Sequence, residues 1–219
     1  MNTSNKYSKI LTIALIVIIL IIVGVLIFLA ASSLRNKSVA ERYTEEANEF
    51  EKVVTSRSSR TGNTNTTLNA IDPSQGDNKR YMDGYEIIGT IEIPKIDFKC
   101  VILDEVTKHS IEIGIGKMFT ENGLNKPGNT VLYGHNRRDS NFFGRNDELV
   151  IGDKVYILDQ EGTKLTYEIY HIEVISGTDT TYYINGETVP TVLLSTCTDD
   201  VNTTDNRLVI LARAIDYNG

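Results

Sequence analysis

The sequence is short of the residues that build metal sites and covalent scaffolds. Among 219 residues there are two cysteines, Cys100 and Cys197, and three histidines. Two thiols make at most one bridge, which excludes a fold held by a disulfide framework. A structural zinc site needs Cys and His ligands at short, regular spacings, and neither cysteine has a histidine so placed. No metal and no other cofactor is expected. Internal repeats are missing too, and so is any excess of positive charge where it would matter. From residue 83 onward 12 basic residues stand against 22 acidic ones, a net of −10. A domain this acidic repels a phosphate backbone, so nucleic acid is not an expected partner. What the scarcity of thiols leaves open is whether either one is chemically active.

What the chain does have is one long apolar run. Residues 10–31 carry no charge and are interrupted only by Thr12 and Gly24. As a helix the run would extend about 33 Å at 1.5 Å per residue, enough to cross a hydrocarbon core of about 30 Å. The apolar region of a cleaved signal peptide is shorter, about 7–15 residues, although Ala30, Ala31 and Ser32 resemble a cleavage site. A retained transmembrane anchor is expected over 10–31, with residues 1–9 as a short tail. Lys6 and Lys9 before it are matched by Arg35, Lys37 and Arg42 after it, so flanking charge does not orient the segment.

Beyond the anchor, residues 38–56 read as a polar helix with a thin apolar stripe. Residues 57–82 are rich in Ser, Thr, Asn and Gly and poor in large apolar groups, the composition of a flexible tether. Together 32–83 form a helix-and-tether region. From about Tyr85 the pattern changes to short β-branched and aromatic runs separated by turn signals. Strands are expected at 86–93, 98–103, 129–135, 154–159, 165–175, 191–197 and 207–215. Short helices are expected around 108–115 and 141–149. Seven or eight strands with few helices describe an all-β domain over 84–219, a closed barrel or a sandwich.

Cys197 ends the apolar run VLLSTC and opens onto a polar loop, where a buried strand meets solvent. His135 ends TVLYGH in the same manner, and Gly134 before it lets the backbone pass close to something bulky. Arg207 begins the strand that follows the loop after Cys197. Two antiparallel strands joined by that loop would bring Cys197 and Arg207 to one end of a sheet. A thiol, an imidazole and a permanent guanidinium supply a nucleophile, a proton shuttle and a clamp for a developing oxyanion. Cys100 lies in an alternating strand and is expected to be structural, as are His109 and His171. Phe142 and Phe143, expected in the helix after His135, are read as packing groups, with walling of a substrate groove as the alternative for one of them.

LLSTC at 193–197, GH at 134–135 and the Arg-headed strand RLVILARAI at 207–215 resemble the sortases. GTIEIPKID at 89–97, GNTVLYGHN at 128–136 and LVIGDKVYI at 149–157 are similar as well, and the resemblance covers about residues 84–215. It implies an eight-stranded sortase-type β-barrel with short helices, preceded by one N-terminal transmembrane helix. It implies a cysteine transpeptidase that cleaves a C-terminal sorting motif of the Leu-Pro-x-Thr-Gly kind. The acyl group would then pass to an amine, on a lipid-linked peptidoglycan precursor or a pilin lysine. By position Cys197 matches the nucleophile, His135 the general acid/base and Arg207 the oxyanion-stabilising arginine. Thr196 is a candidate for support through its hydroxyl or backbone N–H. The resemblance also orients the chain in the cell membrane, N-terminus cytoplasmic and catalytic domain extracellular.

Within the sortases, LSTC and GHN look like class B. Class B chains carry a long helical insertion between the strands found here at 165–175 and 191–197, where this chain has only about 15 residues, which favours a compact class A, D or E-like barrel. Asp72-Pro73 resembles the lid of pilin-building members, but no aromatic residue follows it. Asp179 and Glu187 are too few carboxylates for a calcium site. L,D-transpeptidases place His and Gly immediately before their cysteine, and papain-like peptidases place the cysteine on a helix ahead of the histidine. Neither pattern is present. The alternative from a different class is a non-catalytic, membrane-tethered β-domain that binds cell-wall components.

Overall fold

The computed structural model describes residues 4–61, 79–137, 142–198 and 205–218. Two compact units are formed, Met1–Glu41 and Arg42–Gly219. Helix α1, Ser4–Thr61, begins in the first. Within it Leu11–Ala31 is long and apolar enough to cross a membrane, and its side chains are exposed in the protein alone. A helix is the form in which a lone apolar segment satisfies its own backbone groups in lipid.

The second unit is built on nine strands: β1 Arg80–Met82, β2 Tyr85–Ile93, β3 Phe98–Leu103, β4 Ile115–Thr120, β5 Gly128–Tyr133, β6 Lys154–Asp159, β7 Lys164–Ser176, β8 Pro190–Cys197 and β9 Asn206–Ala214. Strands β2 to β9 close a barrel of eight in the order β2-β3-β4-β5-β8-β9-β7-β6, with β6 pairing back onto β2. Closure removes the exposed edges that an open sheet would present. Strand β1 flanks β2 outside the ring. Pairs β3–β4 and β5–β8 are parallel, and every other pair is antiparallel. The interior is filled by residues such as Ile91, Ile93, Cys100, Ile102, Leu132, Ile157, Ile169 and Ile210.

Several expectations shift at the element ends. The helix expected over 108–115 is only Ser110–Ile113 (α2), and the next residues form β4. Gly116 interrupts the pattern of β4 because a Cβ there would meet Val106 Cγ2 at 2.7 Å. A bulge between Lys117 and Phe119 removes what alternation is left. The helix expected over 141–149 is a single 3-10 turn, Asn146–Glu148. Phe142, in an isolated bridge, and Phe143, in a turn, precede it, and both are packing groups as expected, each 1% exposed. In the region read as a tether, α1 runs on to Thr61 and β1 starts at Arg80, while 62–78, with Asp72-Pro73, lie outside the described residues.

Two features outside the barrel wall bear on function. The part of α1 from Arg42 onward docks through Tyr43, Ala47, Phe50 and Val54, all buried, at helical spacing. Glu49–Arg80 (2.9 Å) and Glu51–Lys99 (2.7 Å) tie its polar flank to β1 and β3. The connection from β7 to β8 is pinned by Asn129 Nδ2, which donates to the carbonyls of Tyr182 (2.8 Å) and Tyr183 (3.0 Å). Tyr182, Tyr183 and Phe119 pack on an apolar patch of Val131, Ile175, Leu193, Val209 and Leu211.

Candidate active site

Side chains alternate along a strand, so residues two apart share a face. In β8 this groups Leu193, Ser195 and Cys197; in β5 it groups Val131 and Tyr133; in β9, Arg207 and Val209. Cross-strand register then assembles them. Cys197 is the antiparallel partner of Arg207, and Ser195 is the parallel partner of Tyr133. The apolar patch under Tyr183 therefore runs directly into a polar end formed by Tyr133, Cys197 and Arg207. Cys197 and Arg207 are neighbours as the sequence suggested.

His135 reaches this end by continuation of β5. The Gly134 N–H donates to the Ser195 carbonyl at 3.2 Å, extending the parallel pairing one step past Tyr133. His135 follows between Gly134 and Asn136, both of which are tied to the end of β8. Asn136 Nδ2 donates to the Cys197 carbonyl at 2.9 Å and fastens the two strand ends together. After His135 the chain folds back: the Phe143 N–H donates to the His135 carbonyl at 3.0 Å, and Phe142 bridges Asn136. Gly134 is needed for this close approach, since a Cβ would lie 2.7 Å from Ile115 Cδ1 and 2.8 Å from Phe143 Cδ2.

A residue that sequence reasoning missed is Tyr133. Its hydroxyl lies 3.0 Å from Cys197 Sγ, and the Arg207 guanidinium sits over its ring, 5.9 Å from Cζ to centroid. In the strand expected over 129–135 Tyr133 shares the face of His135, but nothing local ties that face to Cys197. Burial, followed by the bond to Cys197, pushes the Tyr133 phenol up to about 12. It keeps its proton near neutral pH, so a thiolate at Cys197 would find a donor there.

The His135 imidazole is lowered from its ordinary 6.5, first by burial and then by the Arg137 charge, with Glu112 pulling the other way. Thr196 points to the opposite face from Cys197. Its hydroxyl donates to the Gly134 carbonyl at 2.8 Å and is therefore committed to holding the His135 approach. Cys100 is fully buried, and burial pushes its thiol up to about 12. His109 stacks on Tyr85, and His171 pairs with Glu173 on β7, neither with the cluster. Asp179 accepts bonds from Thr181 and Glu187 pairs with Arg213, so both carboxylates are engaged within the protein.

The Sortase domain family model matches residues 91–215. Sortase D of Bacillus subtilis (strain 168) is 31% identical over 109 residues, 50% of this chain and 53% of the relative. The match thus spans about half the length of that curated relative. Among solved structures, the chain resembles a Clostridium perfringens Sortase D5 transpeptidase, with TM-score 0.58 and 24% identity over 81% of this chain and 99% of the other. It also resembles sortase C1 of Streptococcus suis, with TM-score 0.53 and 27% identity over 62% and 76%.

Proposed function

Since the chain belongs to the sortase family, we propose that it is a membrane-anchored cysteine transpeptidase acting through Cys197, His135 and Arg207. The observation that carries this reading is the cross-strand pairing of Cys197 with Arg207 at the barrel end that also receives His135. Cys197 Sγ, its proton passing to His135, attacks the carbonyl at the scissile peptide bond. The resulting oxyanion is held by Arg207, whose fork of N–H donors suits a developing negative charge. His135 gives a proton to the departing amine, leaving a thioacyl enzyme. It then accepts a proton from the incoming amine as the new amide forms and the thiolate departs.

The substrate proposed is a C-terminal sorting motif of the Leu-Pro-x-Thr-Gly kind. The acceptor proposed is an amine on a lipid-linked peptidoglycan precursor or a pilin lysine. With Leu11–Ala31 in the membrane, the short N-terminal tail is cytoplasmic and the barrel extracellular, on the side where such substrates are exported.

The test is incubation of the full chain, in detergent, with a panel of sorting peptides and an amine acceptor. Mass spectrometry should find an acyl adduct on Cys197 and peptide ligated to the amine. Absence of adduct across a broad panel would overturn the reading in favour of a non-catalytic binding domain.

A further inference from the structure

We infer that Tyr43, on the docked part of α1, is a positioning residue for His135 and acts through the ring of Phe142. The inference rests on the reading of His135 as the general acid/base. Phe142 has φ +54, a left-handed backbone that an aromatic residue adopts only where its surroundings enforce it. It is 1% exposed and held by its bridge to Asn136. Its ring packs against His135, centroids 6.5 Å apart at 59°. Against it also lies Tyr43, centroids 4.9 Å apart at 40°. A buried ring held at backbone cost thus packs against both the imidazole and the docked helix.

Tyr43 reaches a second part of the same surroundings. Its hydroxyl donates to the Glu112 carbonyl on α2 at 2.9 Å. Among the described residues, the charged groups that bear on His135 are Arg137, from its own loop, and Glu112, from α2. One side chain therefore supports both the apolar wall that desolvates the imidazole and the backbone that carries its acidic neighbour. The helix following the apolar segment is thus part of the active-site wall, beyond linking the barrel to an anchor. A barrel without residues 42–56 would leave this side of Phe142 to water.

The experiment follows the imidazole directly. The full chain carrying ring-labelled histidine is titrated in detergent by NMR, and the His135 resonance is identified by its loss in His135→Gln. Tyr43→Ala exposes Phe142 and should raise the His135 midpoint toward its ordinary value. Tyr43→Phe keeps the ring against Phe142 and gives up only the bond to the Glu112 carbonyl, so its midpoint should lie nearer the wild type than that of Tyr43→Ala. Val54→Ala weakens the same docked face three turns away and should leave the midpoint in place. Tyr43→Val, a milder truncation, should give a smaller rise if Tyr43→Ala does not fold. An unmoved midpoint in the folded truncation, or an equal shift in Val54→Ala, would overturn the inference. The readout does not depend on turnover, so failure of transpeptidation and failure of this inference are distinguishable.

Discussion

The Tyr133 hydroxyl lies 3.0 Å from the Cys197 sulfur, from one strand end to the next. Because the phenol is pushed up to about 12, it is the donor whenever the thiol is ionised. A hydrogen bond to a charged group contributes about 1.5–3 kcal/mol. Tyr133→Phe should therefore lower the rate of Cys197 alkylation by iodoacetamide at neutral pH by about tenfold, with little change in unfolding temperature. An unchanged rate would remove Tyr133 from the site's chemistry.

Arg207 is expected to act on the oxyanion rather than on substrate affinity. Arg207→Lys keeps a cation but loses the planar fork. Removing one oxyanion donor costs about 10²- to 10³-fold in kcat, so kcat should fall by that order with KM nearly constant. A rise in KM at constant kcat would instead assign Arg207 to substrate binding.

The lowered imidazole of His135 has a consequence for stability. In the unfolded chain this group binds its proton near the ordinary 6.5, and in the folded protein only at lower pH. Between those two values the unfolded state holds more protons, so stability rises with pH there. The contribution is complete above about 6.5 and is lost as pH falls through 6.5 toward the lowered value. Subtracting the unfolding midpoints of His135→Gln from those of the wild type, at intervals from pH 4.5 to 8, should reveal this slope. A flat difference would refute it.

Gly134→Ala should displace the His135 approach, because the new methyl meets Ile115 and Phe143 at sub-van-der-Waals distance. Overpacking of this kind costs about 1–3 kcal/mol, readable as a lower denaturant midpoint. Transpeptidation should fall further than stability alone explains, since His135 is the next residue.

Cys100 should be silent. With its thiol fully buried and pushed up to about 12, the folded protein should take up one equivalent of thiol reagent quickly, on Cys197. Cys100→Ala should keep wild-type kcat. Rapid uptake of two equivalents would contradict the burial.

Seven of the eight barrel strands were legible because β-branched runs punctuated by Gly, Pro and Asn turns carry their own period. β4 was not, since Gly116 and the bulge beside Phe119 erase the alternation. Cys197 and Arg207 could be paired from the chain because a single loop joins antiparallel neighbours, so their adjacency is local. His135 could be joined to them only by the family resemblance, because β5 and β8 pair in parallel across more than fifty residues. No spacing rule reports such a pairing.

The sequence by itself determined the apolar span, the strand-rich domain, the nucleophile candidate and the cation ten residues after it, because these depend on composition and short-range order. Tertiary structure alone decided that Tyr133 meets the thiol, that the Thr196 hydroxyl bonds the Gly134 carbonyl, and that Tyr43 packs on Phe142 beside His135. Those contacts form between residues 62 to 99 positions apart. Barrel closure and helix docking select them, and the residues themselves carry no local preference that would announce the contact.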